Sequence, residues 1–219
     1  MIKSLLKEGV ILLANRLKIL LAERDLTIKD LMKATGLSRN SLSNMVNNPF
    51  ANIATDNVDK LCNYLEVAPK DFYDYFPWHF SMGYSLRKKI LKYRYGEEFE
   101  VGYFLISASS GHKKLDTGFT IFLESSLPAK EDPSLTFSIK CPTHDNFNKL
   151  FNEMSPLFRH TLQEKVVEIM KDFCADLDKE YFFNSLYQTN KNIKVSVVMY
   201  GKYNDDELFN NSYKCKFQN

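Results

Sequence analysis

The residues with the clearest chemical meaning lie in segment 38–47, which reads Ser-Arg-Asn-Ser-Leu-Ser-Asn-Met-Val-Asn. Its apolar residues recur at helical spacing, so a helix here presents polar side chains on the opposite side: Arg39, Asn40, Ser43 and Asn44. Asparagine can bind N6 and N7 of adenine together, and arginine can bind O6 and N7 of guanine. The segment contains no acidic residue, which DNA phosphates would repel. This pattern predicts a helix that contacts base edges in the major groove of DNA.

Two short helices joined by a tight turn would hold this polar face. Thr27 precedes a helical apolar pattern and Asp30 follows three residues later, which predicts an N-cap with a reciprocal capping box. Gly36 stands where the chain must leave the helix through a left-handed residue. Ser38 is typical of the cap of the next helix. The segment 27–48 is therefore predicted to be a helix-turn-helix.

The flanking sequence predicts a domain of five short helices over residues 11–76. Leu13, Leu17, Leu20 and Leu21 would form one face of the first helix. Thr55 is predicted to cap the fourth helix, and Pro69 to open the fifth, with inward Phe72, Tyr75 and Phe76. The alternative, that residues 38–47 form an ordinary solvated helix face, is disfavoured because the turn, both caps and the surrounding helices occur together.

Residues 11–76 resemble the Cro/C1-type helix-turn-helix family, which includes phage lambda repressor and many xenobiotic-response-element-type regulators of bacteria. The resemblance depends on segments spread over this third of the chain: Leu17 and Leu20, Leu26–Leu31, Thr35–Ser38, Asn57–Cys62, Leu65, and Pro69–Phe72. It implies an all-α, five-helix, lambda-repressor-like DNA-binding domain.

The resemblance also implies roles for individual residues. Base contacts are implied for Arg39, Asn40 and Asn44. Phosphate contacts are implied for a second set: Thr27, Ile28 through its backbone amide, Lys29, Ser38 and Ser43. The chain departs from the family at two places, with Met32 where a small residue is usual and Ile28 where glutamine is frequent. Because Met32 is larger than the usual residue, we expect the third helix to be slightly shifted. Because isoleucine cannot donate a hydrogen bond, the side-chain phosphate contact of the usual glutamine is missing.

Beyond residue 77 the sequence predicts a second domain of different type. Aromatic and β-branched runs predict strands, and two apolar-periodic segments predict helices: strands at Phe99–Ala108, Phe119–Glu124, Leu135–Cys141, Ile193–Tyr200 and Tyr213–Phe217, turns at Gly111, Gly118 and 128–133, and helices at 144–154 and 157–180. The predicted fold is thus multidomain. A helix-turn-helix domain (1–77) precedes a basic linker or first element (78–97) and a two-layer α+β domain (98–219) that dimerises or senses a signal.

Composition limits the remaining chemistry. The formal net charge of +2 on 219 residues excludes a polycation, so DNA must be bound by a local surface. The basic cluster Arg87–Arg94 is either a second DNA contact or, more simply, a solvated face. The four cysteines lack zinc-site spacing, and Cys141-Pro-Thr-His144 is at best half a metal site. We therefore expect no metal, no cofactor and no catalytic residues, and a cytoplasmic protein without a membrane segment.

The sequence predicts a transcriptional regulator, in particular a bacterial or phage-borne repressor that binds a palindromic operator in double-stranded DNA as a homodimer. A small molecule, peptide or protein could act as effector on the second domain. Two alternatives remain. The protein could be an interaction module, such as an antitoxin or anti-repressor target, that uses the helix-turn-helix for autoregulation. The second domain could instead be an enzyme, although the sequence shows no catalytic set.

Overall fold

The computed structural model describes residues 7–10, 13–87, 98–124, 134–141, 145–181, 193–202 and 207–215. The chain forms two compact units. Ile11–Trp78 form one, called here the helical unit. The second, called the sheet unit, contains the strand Lys7–Val10 and the chain from His79 onward. The helical unit is thus inserted, in chain order, between two strands of the sheet unit.

The elements follow one another in this order: β1 (Lys7–Val10), β2 (Leu13–Asn15), α1 (Leu17–Glu23), α2 (Ile28–Thr35), α3 (Arg39–Asn47), α4 (Thr55–Leu65), α5 (Pro69–Phe72), β3 (Tyr73–Tyr75), β4 (His79–Leu86), β5 (Glu98–Ser110), β6 (Lys113–Glu124), β7 (Ser134–Cys141), α6 (Asp145–Glu153), α7 (Pro156–Tyr181), β8 (Ile193–Lys202) and β9 (Glu207–Cys215). The structure differs from the predicted division at its start, because Lys7–Val10, which was predicted to lie in the helix-turn-helix domain (1–77), is a strand of the sheet unit. His79–Leu86 is also a strand of that unit, so the predicted segment 78–97 begins with an element of the second domain.

The helical unit is organised around one apolar cluster to which every helix contributes. Helix α2 packs against α3 and α4, and α1 packs against α3. The buried side chains follow the 3.6-residue period of each helix: Leu17, Leu20, Leu21, Leu31, Leu42, Met45, Val58, Leu61, Cys62, Leu65 and Phe72. Met32 is half-buried against this cluster, so the structure accommodates the larger side chain there.

Three local predictions for the helical unit were wrong. The N-cap of α4 is Ala54 rather than Thr55, which is the first helical residue, and no side chain caps that helix. Leu13 and Tyr75 were expected to face inward from helices, but they lie opposite each other in the β2–β3 pair and are 46% and 67% exposed. The reason is that these residues belong to a two-stranded ribbon formed by the first and last segments of the helical unit. Side chains in a strand alternate between two faces, so the helical period does not apply to them.

The sheet unit contains a seven-stranded sheet in the order β1-β4-β5-β6-β7-β8-β9. Among the described strands, only β7 and β8 pair in parallel, and α6 and α7 connect them, as a parallel pair requires a long crossover. Alternate strand residues are buried with the apolar faces of the two helices, forming one core. The Tyr84 hydroxyl on β4 donates to Asp176 Oδ2 on α7 at 2.8 Å, and burial raises the pKa of Tyr84. A sheet-rich region therefore follows the helix-turn-helix, as predicted, although Gly118 lies inside β6 rather than in a turn.

A stabilising substitution can be predicted at the end of α4. Glu66 occupies the helix C-cap with φ of 54°, a left-handed conformation that strains a residue with a Cβ atom. Glu66→Gly is expected to raise the free energy of unfolding by roughly 0.5–1 kcal/mol, measured by urea denaturation. Glu66→Ala is the matched control, because alanine removes the carboxylate but keeps the strain. An equal increase in the free energy of unfolding for both variants would show that the loss of the carboxylate stabilises the unit, and not the relief of backbone strain.

Candidate nucleic-acid interface

The turn between α2 and α3 has the geometry that the sequence predicts. Gly36 ends α2 with φ of 70°, and its amide donates to the Met32 carbonyl at 3.0 Å. Ser38 then caps α3, since its Oγ accepts from the Ser41 amide at 3.2 Å. Leu37 is half-buried against the apolar cluster of the unit. These local contacts fix where α3 begins relative to α2.

Helix α3 separates an apolar side from a polar one. Leu42 and Met45 are buried, which anchors the helix to the unit. Arg39, Asn40 and Asn44 are exposed, and no side-chain partner for them occurs among the residues that the structure describes. Their donors and acceptors are therefore available to a ligand, and burying them against DNA would break no contact within the described structure.

Ser43 and Asn47 form a pair on the same helix. The Asn47 Nδ2 atom donates to Ser43 Oγ at 3.2 Å, one turn apart. Ser43 is half-buried, whereas Asn47 is exposed. Because Ser43 accepts a hydrogen bond here, its own proton can still be donated to a phosphate oxygen.

The first turn of α2 supplies two further phosphate-binding groups. The backbone amides of Ile28 and Lys29 have no acceptor within the described part of the chain, as is usual for the first residues of a helix. The side chain of Ile28 packs against the apolar cluster, whereas the Lys29 side chain is exposed. Phosphate oxygens accept hydrogen bonds, and the positive end of the helix dipole favours them.

Thr27 differs from the other predicted phosphate contacts, because Asp30 already occupies both of its donors. Asp30 Oδ2 accepts from the Thr27 amide at 2.9 Å and from the Thr27 hydroxyl at 2.5 Å. In return, Thr27 Oγ1 accepts from the Asp30 amide at 3.3 Å, which completes the predicted capping box. The hydrogen bonds from the Thr27 side chain and backbone lower the pKa of the Asp30 carboxyl, so it is ionised at neutral pH.

Charge is distributed unevenly over the helical unit. Segment 27–53 carries Lys29, Lys33 and Arg39 against a single acid, Asp30. Within the described residues, none of these three cations forms an ion pair. Residues 54–78 are predominantly acidic, because they contain two lysines and five acids: Asp56, Asp59, Glu66, Asp71 and Asp74. The charge of segment 27–53 therefore favours a polyanion more than the charge of residues 54–78 does.

Asn15, which was not among the predicted residues, connects the start of α1 to the chain that follows α3. Its side chain is buried, and Nδ2 donates to the carbonyls of Asn48 (3.2 Å) and Pro49 (3.0 Å). Its Oδ1 accepts from the Leu17 amide at 3.2 Å, and its own amide donates to the Pro49 carbonyl. The contact to Leu17 is local, but the sequence could not identify the two carbonyl partners, which lie more than thirty residues away.

Other candidate residues lie elsewhere. Arg87, the first residue of the basic cluster, pairs with Glu100 at 2.6 Å, and residues 88–94 lie outside the described residues, as does His144. No group of three potential metal ligands occurs among the residues described. None of the helices that the structure describes is long and apolar enough to cross a membrane.

Comparison with known proteins agrees with this geometry. Residues 16–77 match the family model of the Cro/C1-type HTH DNA-binding domain, which confirms the resemblance seen in the sequence. The matched segment lies within the helical unit, and the sheet unit lies outside it. No curated protein and no solved structure matches the chain.

Proposed function

We propose that this protein is a sequence-specific, DNA-binding transcriptional regulator of bacterial or phage origin, and that it represses genes by occupying a palindromic operator in the cytoplasm. The observation that carries the proposal is the exposed, acid-free side of α3 within a Cro/C1-type domain. Arg39, Asn40 and Asn44 are assigned to base edges on this basis. Arginine favours guanine and asparagine favours adenine, so the half-site is expected to contain both bases.

The remaining predicted residues are assigned to the DNA backbone. Ser38 and Ser43 flank the base-reading side chains, and the amides of Ile28 and Lys29 are open at the start of α2. Contacts from two helix N-termini to phosphates would set the register of α3 in the groove. Lys29 would add charge, which strengthens binding to any sequence equally.

Dimerisation has an energetic reason. One reading helix contacts few base pairs, and each mismatched pair costs roughly 1–3 kcal/mol, too little to select one site in a genome. Two copies on a palindrome approximately double that free energy, because the same contacts are made twice. The sheet unit is assigned the role of pairing two copies or binding an effector, since the helical unit already accounts for DNA contact.

Selection of bound duplexes from a random pool, combined with light scattering, tests the proposal. We expect an enriched palindrome with guanine and adenine in each half, bound by two copies of the chain. Affinity should fall steeply as salt rises, because phosphate contacts release counterions. No enrichment over the starting pool at physiological salt would exclude sequence-specific regulation. A stoichiometric protein partner recovered together with such a failure would favour the interaction module instead.

A further inference from the structure

We propose that the Asp30 carboxylate is an internal competitor for DNA phosphate at the start of α2, and so lowers operator affinity while it stabilises the helix. This inference rests on the proposed DNA-binding function. It concerns a residue to which no base contact is assigned and which the sequence marks only as part of a cap.

Thr27 has two hydrogen-bond donors, and Asp30 Oδ2 accepts from both, at 2.9 Å and 2.5 Å. A phosphate oxygen can only accept a hydrogen bond. Thr27 therefore cannot donate to DNA while the capping box is closed. Of the predicted phosphate contacts, Thr27 is the one whose donors are already used, whereas the amides of Ile28 and Lys29 have no acceptor among the described residues.

The negative charge of Asp30 also weakens phosphate binding at the start of α2. The amino end of a helix carries about half a positive charge, which favours a phosphate. A full negative charge on Asp30 more than offsets it, and the side chain forms no ion pair within the described structure. Lys29 and Lys33 help to lower the pKa of the Asp30 carboxyl through their charge, without forming an ion pair with it in the described structure. A phosphate at the start of α2 is thus repelled by Asp30, which reduces the attraction that Lys29, Lys33 and the open amides provide.

A carboxylate at this position consequently has opposite effects on stability and on binding. It satisfies the capping box, which stabilises α2. It also reduces the attraction between the start of α2 and the DNA backbone. A purely structural cap would behave differently, since its removal would lower stability and affinity together.

Operator titrations of Asp30→Asn test the inference on the full chain, with the duplex recovered from the random pool. Asparagine keeps an acceptor oxygen for the box but removes the charge, so the fold should persist. We expect about three- to tenfold tighter binding at low salt, with a gain that shrinks as salt rises, and a lower melting temperature. Asp71→Asn, which removes an exposed acid from the first turn of α5, is the matched control and should leave affinity unchanged.

Thr27→Val separates competition from direct contact. Because the Thr27 hydroxyl already donates to Asp30, its loss should lower the melting temperature but leave affinity within about twofold. Asp30→Ala should tighten binding in the wild-type background, and by less when combined with Thr27→Val, because the freed hydroxyl is then missing. This non-additivity is the signature of competition for one donor.

Three outcomes would overturn the inference. One is weaker or unchanged binding by Asp30→Asn. Another is equal tightening by Asp71→Asn, which would show that net charge alone acts. The third is a loss of affinity by Thr27→Val as large as that of Arg39→Ala. The Arg39→Ala variant in the same series keeps the two proposals apart. If Arg39→Ala weakens binding while Asp30→Asn does not tighten it, DNA binding stands and only the competitor role fails.

Discussion

Arg39→Ala and Asn40→Ala are each expected to weaken operator binding by about 5- to 150-fold, which corresponds to the roughly 1–3 kcal/mol of a bidentate base contact. Both side chains are exposed and lack partners among the described residues, so the fold should be intact. The loss should be concentrated on the operator, because these side chains are proposed to contact bases. Fluorescence anisotropy titration of the operator and of a scrambled duplex, at the same salt concentration, measures both effects.

Two further variants sharpen this prediction. Arg39→Lys keeps the charge but loses the planar fork, so binding to the scrambled duplex should persist while preference for the operator falls. Lys70→Ala removes an exposed cation on α5 and should change neither affinity nor preference. Unchanged operator binding by both Arg39→Ala and Asn40→Ala at physiological salt would refute the assignment of α3 as the reading helix.

Asn15→Ala is expected to lower the free energy of unfolding of the helical unit by about 2–4 kcal/mol. The substitution removes one acceptor and two donated hydrogen bonds at a residue that is 5% exposed. The Leu17 amide then loses its acceptor, which costs more than the loss of a solvated hydrogen bond, whereas the Asn48 carbonyl keeps the hydrogen bond from the Ala51 amide. Urea denaturation, combined with hydrogen exchange over residues 11–78, would report the change.

The position of Asn15 also connects the stability of the unit with the end of α3, the proposed reading helix. The two carbonyls that it holds follow directly after α3, so loosening them should increase exchange at the end of that helix. Asn63→Ala, at an exposed position on α4, is the matched control and should be neutral or slightly stabilising. A loss for Asn15→Ala smaller than about 0.5 kcal/mol would show that water replaces these contacts.

Much of the helical unit could be predicted because its determinants are local. Thr27 and Asp30 form their box within three residues, Gly36 provides the left-handed residue, and Ser38 begins α3 where its cap predicts. The exposed side of α3 follows from helical spacing alone. The base and phosphate assignments of these residues remain predictions, since they require a bound duplex.

The tertiary structure decided the rest. Lys7–Val10 belongs to the sheet because it pairs with β4, as between Val10 and Phe80. In the sequence, the whole helical unit lies between these two strands. The exposure of Leu13 and Tyr75 depends on a similar pairing, and so do the distant carbonyl partners of Asn15. Likewise, the folded structure decides that one carboxylate oxygen of Asp30 accepts from both donors of Thr27. Helix caps and helix faces depend on residues within about one turn of the chain. Strand pairing depends on residues that are distant in the sequence and meet only in the folded protein. The competition for the donors of Thr27 depends on the position that the Asp30 side chain takes.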